Sequence, residues 1–210
     1  MFRAVREDDV IVFRAQICST GIVETFHPVR DQVWARARVT GDGLEPLIYA
    51  KTQIEAGEEK DLVSRFQDGR VEVRKRGKWK TVKGPPGLMD PLTIIYAVRR
   101  LPLEVGETYR LPLLDGRDVE TLVVPVTGRE DTEKHGTVLK MYPYTMEDGE
   151  REDEDPWTIV LTDDERRVPV RMKLPLGFGT LHLWLTELKR PSGVAEPRRM
   201  FCDPSTRMPH

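Results

Sequence analysis

Several clusters of residues in this chain have side chains that can do chemistry. Asp163-Asp164-Glu165 follows an apolar run and precedes Arg166-Arg167. Two carboxylates can share acid–base work when their surroundings split their pKa values. Adjacent residues in a turn face apart, and Asp is a frequent turn former, so the turn reading leads here. The acidic run Glu147–Asp155 could offer oxygens to a hard cation, but it lacks the alternating ligand spacing of a calcium loop. It reads as a solvated hairpin loop. His27, His135, His182 and His210 are scattered, with no pair at metal-ligand spacing, so no metal site is expected. Cys18 could act as a nucleophile only beside a base that the fold would have to bring to it. Cys202, the other cysteine, lies too far along the chain to form a metal motif or a disulfide framework with it. The chain has no G-x-S-x-G, no glycine-rich phosphate loop and no Cys-x-x-Cys, and nothing in it calls for a cofactor.

Two further groups point to binding rather than reaction. Arg74-Lys75-Arg76-Gly77-Lys78-Trp79-Lys80 is basic with one aromatic, a composition that can contact phosphate or anionic lipid headgroups. The central glycine also makes it a plain hairpin tip with charged flanks. Tyr96, Trp34, Trp157 and Trp184 are the candidate ligand-binding aromatics. If a sheet curls around a helix, its mouth could hold an apolar ligand between such residues. Ordinary core packing is the competing reading.

The elements that must position these groups are mostly strands. Ile11, Phe13, Ala15 and Ile17 alternate with more polar neighbours, and Val33, Ala35, Ala37 and Val39 do the same. Further strands are expected at 47–53, 61–67, 70–76, 109–114, 119–126, 137–144 and 157–162, around Val168–Leu174, and at 180–188. Asp68-Gly69, Arg76-Gly77 and Asp115-Gly116 supply turns between them. Pro169 cannot donate to a ladder, which places it at an edge or a bulge.

One segment breaks the β pattern. Asp90 suits a helix N-cap, Pro91 the first helical position, and Pro102 a stop. Arg99 and Arg100 fall where the last turn would welcome positive charge. Leu92, Ile94, Ile95, Tyr96, Ala97 and Val98 leave no polar face. A helix of about eleven residues is too short for a bilayer, which takes roughly 20, so it must be a plug covered by sheet. Ile95 is the expected centre of that plug. The fold class is therefore mainly β: a strongly curved antiparallel sheet, an open or half barrel, wrapped around one central helix near residues 90–100. Residues 1–190 read as a single β domain, and 191–210, rich in Pro, Arg and Ser, as a flexible tail.

Composition excludes some functions. In 210 residues, 39% are hydrophobic and 32% charged, enough for one sizeable core. A net charge of −2 creates no global basic field, which argues against nucleic acid as a partner. No apolar run reaches membrane-spanning length. No signal peptide is read, since Met1 leads directly toward the strand at Val10. That fits either a cytosolic protein or a chain whose natural start lies upstream.

Met89-Asp90-Pro91-Leu92-Thr93, with Tyr96-Ala97-Val98-Arg99, Leu103 and Gly106, resembles the central motif of a bacterial family known only as domain of unknown function 3108. Cys18-Ser19-Thr20-Gly21 and Phe26-His27-Pro28-Val29-Arg30-Asp31 are similar to its first half. Ile159–Asp164, Arg167–Val170, Gly177, Gly179 and Glu187-Leu188 resemble its closing signature. The resemblance spans residues 10–189. It implies a curved antiparallel sheet folded about the helix, similar in shape to the open barrels of periplasmic lipoprotein carriers. It also implies export to the periplasm or cell envelope, and it carries over no catalytic residue. The leading expectation is a non-enzymatic envelope protein holding a lipid, lipoprotein or glycan in the concavity of its sheet. The rivals are a hydrolase or glycan-modifying enzyme using Asp163, Asp164 or His182, and a structural subunit pairing through a sheet edge.

Overall fold

The computed structural model describes residues 2–18, 29–41, 43–55, 58–67, 69–151, 157–176 and 179–185. The first half is a seven-stranded antiparallel meander in sequence order. Its strands are β1 (Phe2–Glu7), β2 (Val10–Cys18), β3 (Val29–Thr40), β4 (Gly43–Glu55), β5 (Glu58–Gln67), β6 (Arg70–Lys75) and β7 (Lys78–Lys83). β1 adds to the strands that the sequence predicts. It pairs along β2 from Phe2 opposite Ala15 to Glu7 opposite Val10, across a turn in which Asp8 takes a positive φ.

The helix α1 (Pro91–Val98) follows. It is shorter than the sequence suggested. Arg99 is the C-cap and Arg100 lies beyond it, so no basic residue stands in the last turn. Its start is as expected: the Asp90 carboxylate accepts the N–H groups of Leu92 and Thr93, both at 2.9 Å, and the Thr93 hydroxyl at 2.6 Å.

The second sheet contains β8 (Thr108–Asp115), β9 (Asp118–Thr132), β10 (Gly136–Met141), β11 (Tyr144–Glu147), β12 (Glu150–Arg151), β13 (Thr158–Thr162), β14 (Pro169–Leu176) and β15 (Gly179–Trp184). β9 is its spine: β8 pairs with it, and so do both β10 and β11. The strand expected over 137–144 is thus interrupted at Tyr142-Pro143, where proline has no N–H to donate. The sheet then runs β10–β13–β14–β15. Register slips where Leu161 faces Pro169, so the proline sits at a bulge in an interior strand.

Two antiparallel sheets and one helix make up the described residues, and neither sheet closes on itself. The helix is the wedge between them. Ile94 and Val98, one turn apart, enter a core with Leu122, Val124, Leu139, Met141, Ile159 and Leu161 of the second sheet. Leu92 and Tyr96 lie on the other side and pack with Phe13, Ala35, Ala37 and Tyr49 of the first sheet. Ile95, the residue expected at the centre, is only half-buried; Ile94 and Val98 are each 1% exposed. A third cluster closes the seam, where Val71, Val73 and Val82 meet Leu88 and Leu114.

Candidate functional site

The four candidate ligand-binding aromatics do not converge. Tyr96 is half-buried between helix and first sheet, stacked on Phe13 with ring centroids 4.2 Å apart. The Arg99 guanidinium lies 4.9 Å from its ring centroid. Burial raises the Tyr96 hydroxyl pKa, and the Arg99 charge opposes the shift. Trp157 belongs to the opposite core: it is half-buried against the second-sheet cluster. Its indole Nε1–H is buried and meets no acceptor. Trp34 is 38% exposed on β3, on the side opposite buried Val33 and Ala35. Trp184 is 63% exposed and stacks on His182 at 5.5 Å, on the side of β15 away from half-buried Leu183. Two of the four are therefore interior, on opposite sides of the helix, and two stand on outer faces of different sheets.

The candidate acid–base pair is committed to structure. Asp163 accepts Arg129 Nε at 2.6 Å on one oxygen and Arg167 Nη1 at 2.9 Å on the other. Asp164 accepts the Thr162 hydroxyl at 2.7 Å, the backbone N–H groups of Arg166 and Arg167, and the Arg166 guanidinium. The Thr162 hydroxyl and then Arg166 hold the Asp164 carboxyl down at about 2. A carboxylate that acidic is a poor proton carrier near neutral pH. Arg99, at the helix end, donates to the carbonyls of Arg166 and Arg167 at 2.7 and 2.8 Å, which ties this turn to the helix.

Sequence reasoning missed a polar seam on the inner side of the first sheet. Asp31 is 5% exposed there and accepts Gln53 Nε2 at 3.1 Å, with Lys51 Nζ at 3.8 Å from the same oxygen. The signal was available: Asp31, Val33, Ala35 and Ala37 share one face of a period-2 strand, so Asp31 had to point inward with them. Tyr49 lies farther along that inner face. Burial, then the charges of Asp90, Asp115 and Asp31, raise its hydroxyl well above its ordinary value. Asp90 is 1% exposed. Burial pushes its carboxyl up to about 6, against the lowering effect of its bonds from Thr93 and Leu92.

The basic stretch forms the β6–β7 hairpin. Trp79 is 47% exposed, with the guanidinium of Arg65 4.9 Å and that of Arg74 5.8 Å from its ring centroid. A shallow surface hollow of about 120 Å³ is lined by Glu72, Trp79, Lys80 and Thr81. The acidic run contributes the β11–β12 hairpin, where Asp148 and Gly149 take positive φ; its residues 152–156 lie outside the described residues. Outside them too are His27, His210, Cys202 and the 191–210 segment expected as a tail. No group of three or more His, Cys, Asp or Glu able to hold a metal occurs among the described residues. No helix among them is long and apolar enough to cross a membrane.

Two unclosed antiparallel sheets on a single wedge helix define a barrel-like β fold. Residues 2–186 match the family described as "Protein of unknown function (DUF3108)", and the chain belongs to that family. In overall shape it is similar to a β-barrel-like protein of the unknown-function family DUF1849 from Brucella abortus. The TM-score is 0.59 at 12% identity, over 86% of this chain and 82% of that one. It also matches a DUF1089 family protein from Pseudomonas aeruginosa at a TM-score of 0.44 and 15% identity, over 81% and 86% of the two chains. No curated protein matches it.

Proposed function

We propose that this protein is a non-enzymatic component of the bacterial envelope that binds a lipid, lipoprotein or glycan on the inner side of its sheets, beside Trp157. The observation that carries this reading is the buried Trp157 Nε1–H without an acceptor, set against an otherwise apolar core. An unpaired buried donor costs on the order of 1–3 kcal/mol, which an ester carbonyl or hydroxyl of a bound amphipathic molecule would recover. The aliphatic neighbours of Trp157 would take the apolar part. The envelope location draws on the family resemblance in sequence. A hydrolase reading has less support, since Asp163 and Asp164 are held in ion pairs.

Native mass spectrometry of protein from its own host should reveal a co-purifying amphipathic molecule. A panel of fatty acids, lysolipids, lipopeptides and glycans should contain one class that raises the melting temperature by mass action. Trp157→Phe keeps an aromatic ring, a smaller one, and removes the donor. It should leave the unliganded protein as stable as before and weaken the ligand-induced shift. A full panel without a shift, together with a clean native mass, would discard the reading.

A further inference from the structure

The β6–β7 hairpin carries a charge pattern unlike the rest of the chain. Of the fourteen residues from Arg70 to Lys83, seven are Lys or Arg and one, Glu72, is acidic, whereas the whole protein carries −2. Among the described residues, the hairpin is pinned on the side of the β8–β9 turn. Arg117, in the β8–β9 turn, donates to the Lys78 carbonyl at 2.6 Å, and Gly116 of that turn lies beside Lys75. Asp115 and Asp118 of the same turn are the acidic residues on that side.

The other side is an open face of the first sheet, and its register can be followed strand by strand. Arg14 faces Trp34, Trp34 faces Ala50, Ala50 faces Val63, Val63 faces Arg74, and Arg74 faces Trp79. One transverse row thus has an exposed tryptophan on β3 and another on β7, about 19 Å apart at ordinary strand spacing, with Ala50, Val63 and Arg74 between them. The adjacent row adds Arg36 and Arg65 opposite Ile48, on either side of β4. Stacking on Trp79 leaves the edges of the Arg65 and Arg74 guanidinium groups able to donate.

We propose that this hairpin docks the protein onto a membrane surface rich in anionic phospholipid. Trp79 enters the headgroup layer, and Arg65, Arg74 and the tip residue Arg76 donate to lipid phosphates. An amphipathic indole ringed by cations suits the interface between headgroups and acyl chains. Charge complementarity selects the anionic surface. Arg76, at the tip with φ 53°, Lys78 and Trp79 are all exposed, so the outer face of the hairpin can lie along a plane. A single flat hairpin offers no groove to track a nucleic-acid backbone. The overall negative charge disfavours other approaches and so orients the molecule. This docking does not require an internal ligand.

The test is co-sedimentation of the full chain with vesicles of phosphatidylcholine alone and with about 30% phosphatidylglycerol added. Binding to the anionic vesicles should be at least about tenfold stronger, with a blue shift in tryptophan emission, and should weaken as salt rises from about 50 to about 500 mM. Arg74→Glu with Arg76→Glu should cost about a hundredfold or more. Trp79→Ala should cost about tenfold and abolish most of the blue shift. Lys134→Glu with Arg171→Glu, the same charge change on the second sheet, should alter binding less than about twofold. Melting curves identify any variant that is unfolded, and Trp79→Phe then serves in place of Trp79→Ala. Equal binding to both vesicles, unchanged binding of the hairpin variants, or binding to a soluble polyanion such as dextran sulfate but not to vesicles would overturn the proposal.

Discussion

The strands β3 and β13 show two ways of using a sheet. From Asp31 to Arg38, β3 alternates strictly between buried and exposed residues, so one face builds core and the other meets solvent. β13 is buried at all five positions, Thr158 to Thr162. Its two faces belong to different clusters: Ile159 and Leu161 join the main core, while Val160 packs with Val138, Val170 and half-buried Leu185 on the far side. Around β13 the second sheet therefore packs on both faces, whereas β3 of the first turns one side to solvent. Substitutions that test stability belong in the second sheet and the helix, and those that test recognition belong on the outer face of the first.

The contrast can be broken most decisively at the helix. Ile94→Ala should destabilise by about 2–5 kcal/mol, because it removes a fully buried side chain from the second-sheet core. Ile95→Ala, only half-buried, should cost less than about 2 kcal/mol. Chemical denaturation of both variants checks the order, and a reversal would mean that the helix is rotated. Asp90→Ala should cost about 2 kcal/mol, at the upper end for an N-cap, since it strands three donors in a buried site.

Asp90 also makes stability depend on pH. Its folded pKa, about 6, lies above the ordinary 3.8, so the folded state holds the proton more tightly than the unfolded chain. The resulting contribution is complete below about pH 4 and is lost as pH rises through about 6. Asp90→Asn should flatten stability over that interval, as read from denaturation midpoints at a series of pH values. Arg99→Met should cost about 1–2 kcal/mol by freeing the carbonyls of Arg166 and Arg167. Trp34→Ala, on the outer face of β3, should change stability by less than about 0.5 kcal/mol. Replacing Glu147–Asp155 by a short Asn-Gly turn should also leave the melting temperature nearly unchanged. A large loss from Trp34→Ala would mean that the outer face is covered, and the distinction between the sheets would fall.

Much of this was legible in the sequence, for local reasons. A period of two marks a strand with one wet face, so β2 and β3 could be read directly. Asp-Pro before an apolar run fixed where the helix begins. Its end was harder: propensity would allow two more residues, but Arg99 is drawn away to the carbonyls of a turn 67 and 68 residues later. The short β1 was missed because six residues that include three charges show little until β2 is present to pair with them.

The functional residues divide along the same line. The sequence by itself determined that Asp90 caps a buried helix, that Pro169 sits at an edge or a bulge and that Arg74–Lys80 forms a charged hairpin, because each follows from geometry within a few residues. Only the tertiary structure decided that Tyr96 and Trp157 face opposite cores, that Trp34 and Trp184 stand outside both, and that Asp163 and Asp164 are held by arginines. It alone set Trp79 under Arg65 and left the Trp157 N–H buried without an acceptor. Those outcomes depend on which strands become neighbours, and pairing across tens of residues is fixed by packing of the whole core rather than by any local preference.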